Sequence, residues 1–158
     1  MTRALLVALA LLVATLAGPV RADEFKPAYL QLTQTAPDRY DVLWKVPALD
    51  ENTVLRLVPV FPPGTVEVSE RRGSYVGGSA VVRWSMQVPG GLVGQPITFE
   101  GASLTRTDVL VRLARLDGTE QLERINPAAP RFIAVASPGP FEIAEVLVGG
   151  PGRHEVRV

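Results

Sequence analysis

Apolar residues in this chain recur at every second position in short runs. Gly, Pro, Asp or Asn interrupts the pattern every 8 to 15 residues. Such alternation turns one face of an extended strand toward a core and the other toward water, so it restricts the chain to β structure. Ala28, Leu30 and Leu32 share a face of the first run. Val42, Trp44 and Val46 share a face of the second, with Asp41 and Lys45 opposite. Pro37-Asp38 lies between them and suits the centre of a turn, which predicts a hairpin. Residues 54–60 predict a third strand closed by Pro62-Pro63-Gly64, and residues 65–70 a short fourth. Residues 73–79 read as a flexible turn region. Val82, Trp84, Met86 and Val88 then alternate with Arg83, Ser85 and Gln87 until Pro89-Gly90-Gly91. Ile97 and Phe99 mark a short strand after Pro96. Val109, Val111 and Leu113 mark another, alternating with Leu110, Arg112 and Ala114. Asp117-Gly118 predicts a two-residue hairpin, whose central residues must both accept positive φ. Residues 121–125 supply the return strand and residues 131–136 one more. No run before Pro138 keeps a 3.6-residue period, so helix content should be low.

Eight or nine short strands over residues 23–136 predict an all-β domain: a two-sheet antiparallel β-sandwich, immunoglobulin-like. Trp44 and Trp84 stand in register with aliphatic neighbours and read as its core anchors. Residues 137–158 read as a linker-like tail that begins at Ser137-Pro138-Gly139-Pro140. Within it, residues 141–148 predict a two-turn helix or a last strand.

The first 22 residues carry an address. Met1-Thr2-Arg3 is a positive start, Ala4 to Ala17 is a 14-residue apolar run, and Gly18-Pro19 breaks it before small residues around Ala22. That is the layout of a secretory signal peptide over 1–22. The run is shorter than the about 20 residues that span a membrane. An exported, periplasmic protein is the expectation, with no membrane span after the signal.

The remaining charge narrows the partners. Removing Arg3 and Arg21 leaves 14 basic against 16 acidic residues, a net charge of −2. Nucleic acid is not an expected partner, since that demands a basic stripe. The cations are 14 Arg against only Lys26 and Lys45, which reads as the codon bias of a GC-rich genome. The chain has no cysteine. Disulfides, thiolate metal sites and thiol catalysis are therefore excluded, and stability must come from the core.

Residues with catalytic potential are sparse. The one histidine, His154, lies in the tail, where chain mobility suits a general base poorly. Asp50-Glu51-Asn52 lacks calcium-loop spacing and reads as a solvated turn. Arg71-Arg72 and the set Arg106, Arg112 and Arg115 could attract an anion, but Glu70 and Asp108 beside them favour a solvated surface. No catalytic, cofactor or metal residue is assigned, and no cofactor is expected.

Three segments carry a resemblance. Lys26-Pro27-Ala28-Tyr29-Leu30-Gln31-Leu32 is followed by Tyr40-Asp41-Val42-Leu43-Trp44-Lys45-Val46-Pro47, then by Thr107-Asp108-Val109-Leu110-Val111-Arg112, together with the Trp84 strand. In this order they resemble the extracytoplasmic N-terminal region of HupE/UreJ-type membrane proteins, over roughly residues 23–136. The resemblance implies a soluble, non-enzymatic domain of a bacterial inner-membrane family linked to hydrogenase and urease maturation. Some members are thought to move nickel or cobalt through their membrane helices. The first such helix should begin near Phe141, where this chain has Gly149 to Gly152 and a charged end instead. The expected role is accessory to metal transport, with an inner-membrane protein or a missing membrane domain as partner. The alternative is a free-standing adhesion, assembly or ligand-binding sandwich.

Overall fold

The alternation seen in the sequence becomes ten strands in the computed structural model, which describes residues 26–48, 50 and 52–138. Strands β1 (Ala28–Ala36) and β2 (Arg39–Pro47) form the expected hairpin around Pro37-Asp38. β3 (Val58–Val60) and β4 (Val66–Glu67) are short. β5 (Arg72–Tyr75) and the long β6 (Ser79–Gln87) form a second hairpin. β7 (Pro96–Glu100), one helical turn α1 (Ala102–Thr105), β8 (Val109–Ala114), β9 (Glu120–Ile125) and β10 (Arg131–Ile133) follow.

These strands make two sheets. The larger has seven strands in the order β4-β6-β2-β1-β8-β9, and β5 pairs with β6 along the same edge as β4. The smaller runs β10-β7-β3 and is antiparallel throughout. The large sheet corrects the purely antiparallel expectation, because β1 pairs parallel with β8 from Ala28↔Val109 to Thr33↔Ala114. Side-chain alternation has the same period in both pairing modes, so the residues gave no sign of it.

The core lies between the sheets. Leu30, Leu32, Val42, Trp44, Trp84, Met86, Val109, Val111 and Leu113 point inward from the large sheet and are buried. Ile97, Phe99 and Phe132 meet them from the small one. Trp44 stacks on Phe99 at 6.1 Å between ring centroids and 25° between planes, which joins β2 to β7. Phe61 meets Trp84 edge-on at 6.1 Å. Both tryptophans are core anchors, and aromatic pairs of this kind add to what burial alone supplies.

Five local expectations need correction. Residues 54–57 leave the predicted third strand: Val54 bridges Ala48, and Leu57 N–H then bonds the carbonyl of Leu55 at 2.9 Å. That kink carries the chain from one sheet to the other, so only Val58–Val60 remains in a ladder. The predicted fourth strand shrinks to Val66–Glu67 and the last to Arg131–Ile133.

Residues 73–79 are no flexible turn. Gly77 and Gly78, at φ 56 and 71, make a tight two-residue turn flanked by reciprocal Val76–Ser79 bonds of 2.9 and 3.1 Å. Positive φ at both centres is the geometry that suits strand twist. The Asp117-Gly118 turn is one residue longer than expected. Arg115 N–H bonds Thr119 C=O, Gly118 N–H bonds Arg115 C=O, and only Gly118 has positive φ. This is a three-residue loop ending in a glycine bulge.

The free edge of β9 is covered by the chain that follows β10. The Gln121 amide donates to Ile133 C=O and its oxygen accepts from Val135 N–H, both at 3.0 Å. Arg115 donates to Val135 C=O at 2.7 Å, and the Thr119 and Ser137 hydroxyls share a bond at 3.0 Å. Hydrogen bonds from Ser137 and Thr119 hold the Asp117 carboxyl at about 2, below its ordinary 3.8. A carboxyl whose pKa falls on folding adds stability above its unfolded value and loses it as pH drops through the folded one. The protection factor of the Val135 amide should therefore hold down to about pH 4 and fall between there and pH 2, and Asp117→Asn should abolish that dependence. A flat profile in the unsubstituted protein would count against the latch.

The signal peptide over 1–22, the helix-or-strand segment 141–148 and His154 lie outside the described residues. No helix among the described residues is long and apolar enough to cross a membrane.

Candidate functional site

Residues that alternate with the core line the outward face of the large sheet, and the strand register arranges them in rows. One row runs Arg72, Arg83, Leu43, Gln31, Arg112, Leu122 from β5 to β9. The next runs Val81, Lys45, Tyr29, Leu110, Arg124, and a third runs Ser85, Asp41, Thr33, Ala114, Glu120. No second layer covers this face among the described residues.

A groove of about 710 Å³ opens over the first and third rows, lined by Gln31, Thr33, Leu43, Glu70, Arg72 and Arg83 among others. A break between β4 and β5 shapes its wall. Val68 N–H still bonds Ser85 C=O at 2.9 Å, but Ser85 N–H goes to the Ser69 hydroxyl at 2.7 Å instead of to a main-chain carbonyl. A side chain thus replaces one rung of the ladder, and the edge strand bends at Ser69–Arg71. On the floor, the Ser85 hydroxyl donates to Asp41 at 2.6 Å.

Charge in this groove is unusual for a strand surface. Arg72 stands directly opposite Arg83, and like charges facing each other across strands oppose pairing. Neither guanidinium has a carboxylate within ion-pair distance among the described residues. Glu70 and Asp41 line the same groove. The site thus offers two unengaged guanidinium forks, two carboxylates and the amide of Gln31. Such an array suits a polar partner that brings its own charges.

The arginines singled out from the sequence are mostly committed elsewhere. Arg71 makes a two-pronged bond to Glu67 and lies 4.3 Å above the Trp84 ring, closing the core at that edge. Arg112 pairs with Glu120, and Arg115 is bound to β9 and Val135. Asp108 pairs with Arg124. Arg106 ends α1 at φ 51, apart from this set. Asp50 accepts from the amides of Asn52 and Thr53, both at 2.8 Å, as a solvated turn does. The Arg72–Arg83 apposition was missed, because it depends on a register between β5 and β6 that the Gly-Ser composition of β5 hides.

Where a carboxyl departs from its ordinary value, it is lowered. Arg71 holds Glu67 down, Arg112 holds Glu120 down, and the Asn52 amide leads for Asp50. These groups are stabilised as anions, whereas a general acid needs the opposite shift. No group of three or more His, Cys, Asp or Glu side chains suited to a metal ion occurs among the described residues.

The sheet edges are short or occupied. β9 is covered by residues 133–137, β3 carries Pro59, β4 has two residues and β5 four. Comparison with protein-family models finds no match, and comparison with curated proteins finds none either.

Proposed function

We propose that this chain is an exported, non-enzymatic binding module that docks a partner protein on the outward face of its large sheet. The observation that carries the reading is the Arg72–Arg83 apposition in an open groove: its repulsion is relieved when a partner supplies the counter-charge. The resemblance to HupE/UreJ-type proteins implies an inner-membrane partner and a role accessory to nickel or cobalt transport, and we carry both as part of this proposal. The immunoglobulin-like comparison belongs to the same proposal and rests on the two facing sheets. Assembly by strand addition is less well supported, because an incoming strand needs a long free edge.

In-cell photocrosslinking in the native host tests the reading. A crosslinker at Leu43, in the groove, should give one discrete adduct with a membrane protein. One at Ile133, on the outward face of the small sheet, should not. Changing Arg72 and Arg83 together to Glu should lower adduct yield by roughly tenfold or more, as loss of interfacial charge pairs does. Adducts from Ile133 alone, or a yield indifferent to both arginines, would overturn it.

A further inference from the structure

The two sheets differ in extent, and the difference leaves part of the large sheet's inward face open. β3 is an edge of the small sheet and holds three residues, so the inward face of β6 is covered over only part of its length. Trp84 is buried beneath Phe61 and Arg71, but Ala80 and Val82, two and one steps back on the same face, are half-buried. An apolar cleft of about 560 Å³ opens there. Trp44, Val46, Ala80 and Val82 line it from the large sheet, and the exposed Val54 and Val58 line it from the other side.

An apolar knob stands beside this hollow. Leu104 lines the same cleft yet is 92% exposed. Its helical turn is pinned on both sides: Thr105 N–H bonds Gly101 C=O at 3.0 Å, and the Ser103 hydroxyl donates to Pro127 C=O at 2.7 Å. The leucine is thereby held out of the cleft, and burying it against another surface orders little further main chain. Two charges share the site. Arg56 and Glu100 both line the cleft and both are exposed. The Arg56 carbonyl abuts Gly101, the residue after Glu100. Even so, neither side chain has an ion-pair partner among the described residues.

We propose that this surface joins two copies of the chain in a twofold-symmetric dimer, with Leu104 of each copy seated in the cleft of the other. A twofold interface uses one patch twice, so it suits a patch that carries its own complement. This patch sets a knob next to a hollow and an unpaired cation next to an unpaired anion. Across the axis Arg56 meets the partner's Glu100, and symmetry repeats the contact in reverse. Opposite charges placed this way also fix the register of the two copies. The contact uses the inward face of β2 and β6, so the outward face with Arg72 and Arg83 stays free. One leucine and a small cleft on each side make a modest interface, which corresponds to dissociation constants of about 1 to 100 µM.

The test is sedimentation velocity of the protein purified from its native host, at concentrations from about 1 to about 300 µM. The expected result is a reversible passage from monomer to dimer and no further. Leu104→Asp should weaken dimerisation at least about tenfold, and the exposure of that side chain in the monomer spares the fold. Arg56→Glu and Glu100→Arg should each weaken it about threefold or more. Combined in one chain they should restore it, because the exchanged charges meet again across the axis. A chain that stays monomeric throughout, a dimer indifferent to Leu104→Asp, or a double exchange no tighter than either single one would overturn the proposal. Leu43 lies on the other face of the large sheet, so the dimer and the crosslinked partner stand or fall separately.

Discussion

Gly101→Ala should destabilise the fold by more than about 3 kcal/mol, through a forced main-chain shift on top of φ strain. Gly101 has φ 84, and a Cβ there would lie 2.0 Å from the carbonyl oxygen of Arg56 and 3.1 Å from its carbon. The obstructing atoms are main chain and cannot rotate away. They sit in the kink that carries the chain between sheets, next to the buried Leu57 and to Val58, which pairs with Glu100. Relief at one point therefore disturbs the ladder at the next. Gly118→Ala is the matched control: its φ of 82 is almost the same, but nothing lies within 4 Å of the added carbon. That substitution should cost about 1 kcal/mol, for strain alone. Urea unfolding of the two variants separates the contributions, and equal losses would show that steric conflict at Gly101 is unimportant.

Trp44→Ala should cost about 4 kcal/mol, near the upper range for truncating a buried aromatic. The ring is 5% exposed and stacks on Phe99 across the gap between the sheets. Its removal leaves a void that neither sheet can close without breaking main-chain bonds. Trp84→Ala should cost less, despite similar burial. Arg71 rather than the opposite sheet covers one face of that ring, and an arginine at the rim can settle into the space. Denaturant midpoints at constant m-value provide the comparison. A Trp44→Ala loss under about 1 kcal/mol would mean that the two sheets are not held together there.

Much of this architecture is visible in the residues, for a clear reason. In β2 and β8, and in β1 as far as Leu32, the inward positions are aliphatic or aromatic at every second residue and are buried; in β6 Trp84 and Met86 are buried and Ala80 and Val82 half-buried. Pro37-Asp38 places the first hairpin correctly, because that turn is decided by its own residues. What stayed hidden depends on pairing between distant segments. Nothing in Ala28–Thr33 reveals that its second neighbour runs parallel. Arg-Gly-Ser-Tyr at β5 has no apolar face, so its strand character comes entirely from β6 and the Gly77-Gly78 turn. The candidate site was illegible for the same reason: Arg72 and Arg83 meet only through register.

The parallel pairing of β1 with β8 bears on the order in which the chain can assemble. Of the described strands, β1 is the first to emerge during synthesis, yet it occupies the middle of the large sheet. One of its edges is met at once by β2. The other must wait until Val109–Ala114 has appeared. Until then the β1–β2–β6 portion presents an unfilled flank and an uncovered apolar side, the state in which sheet proteins are most prone to pair wrongly with one another. Contacts this remote in sequence also slow folding. A protein built this way depends on being kept apart from its siblings while the last third of its chain is delivered.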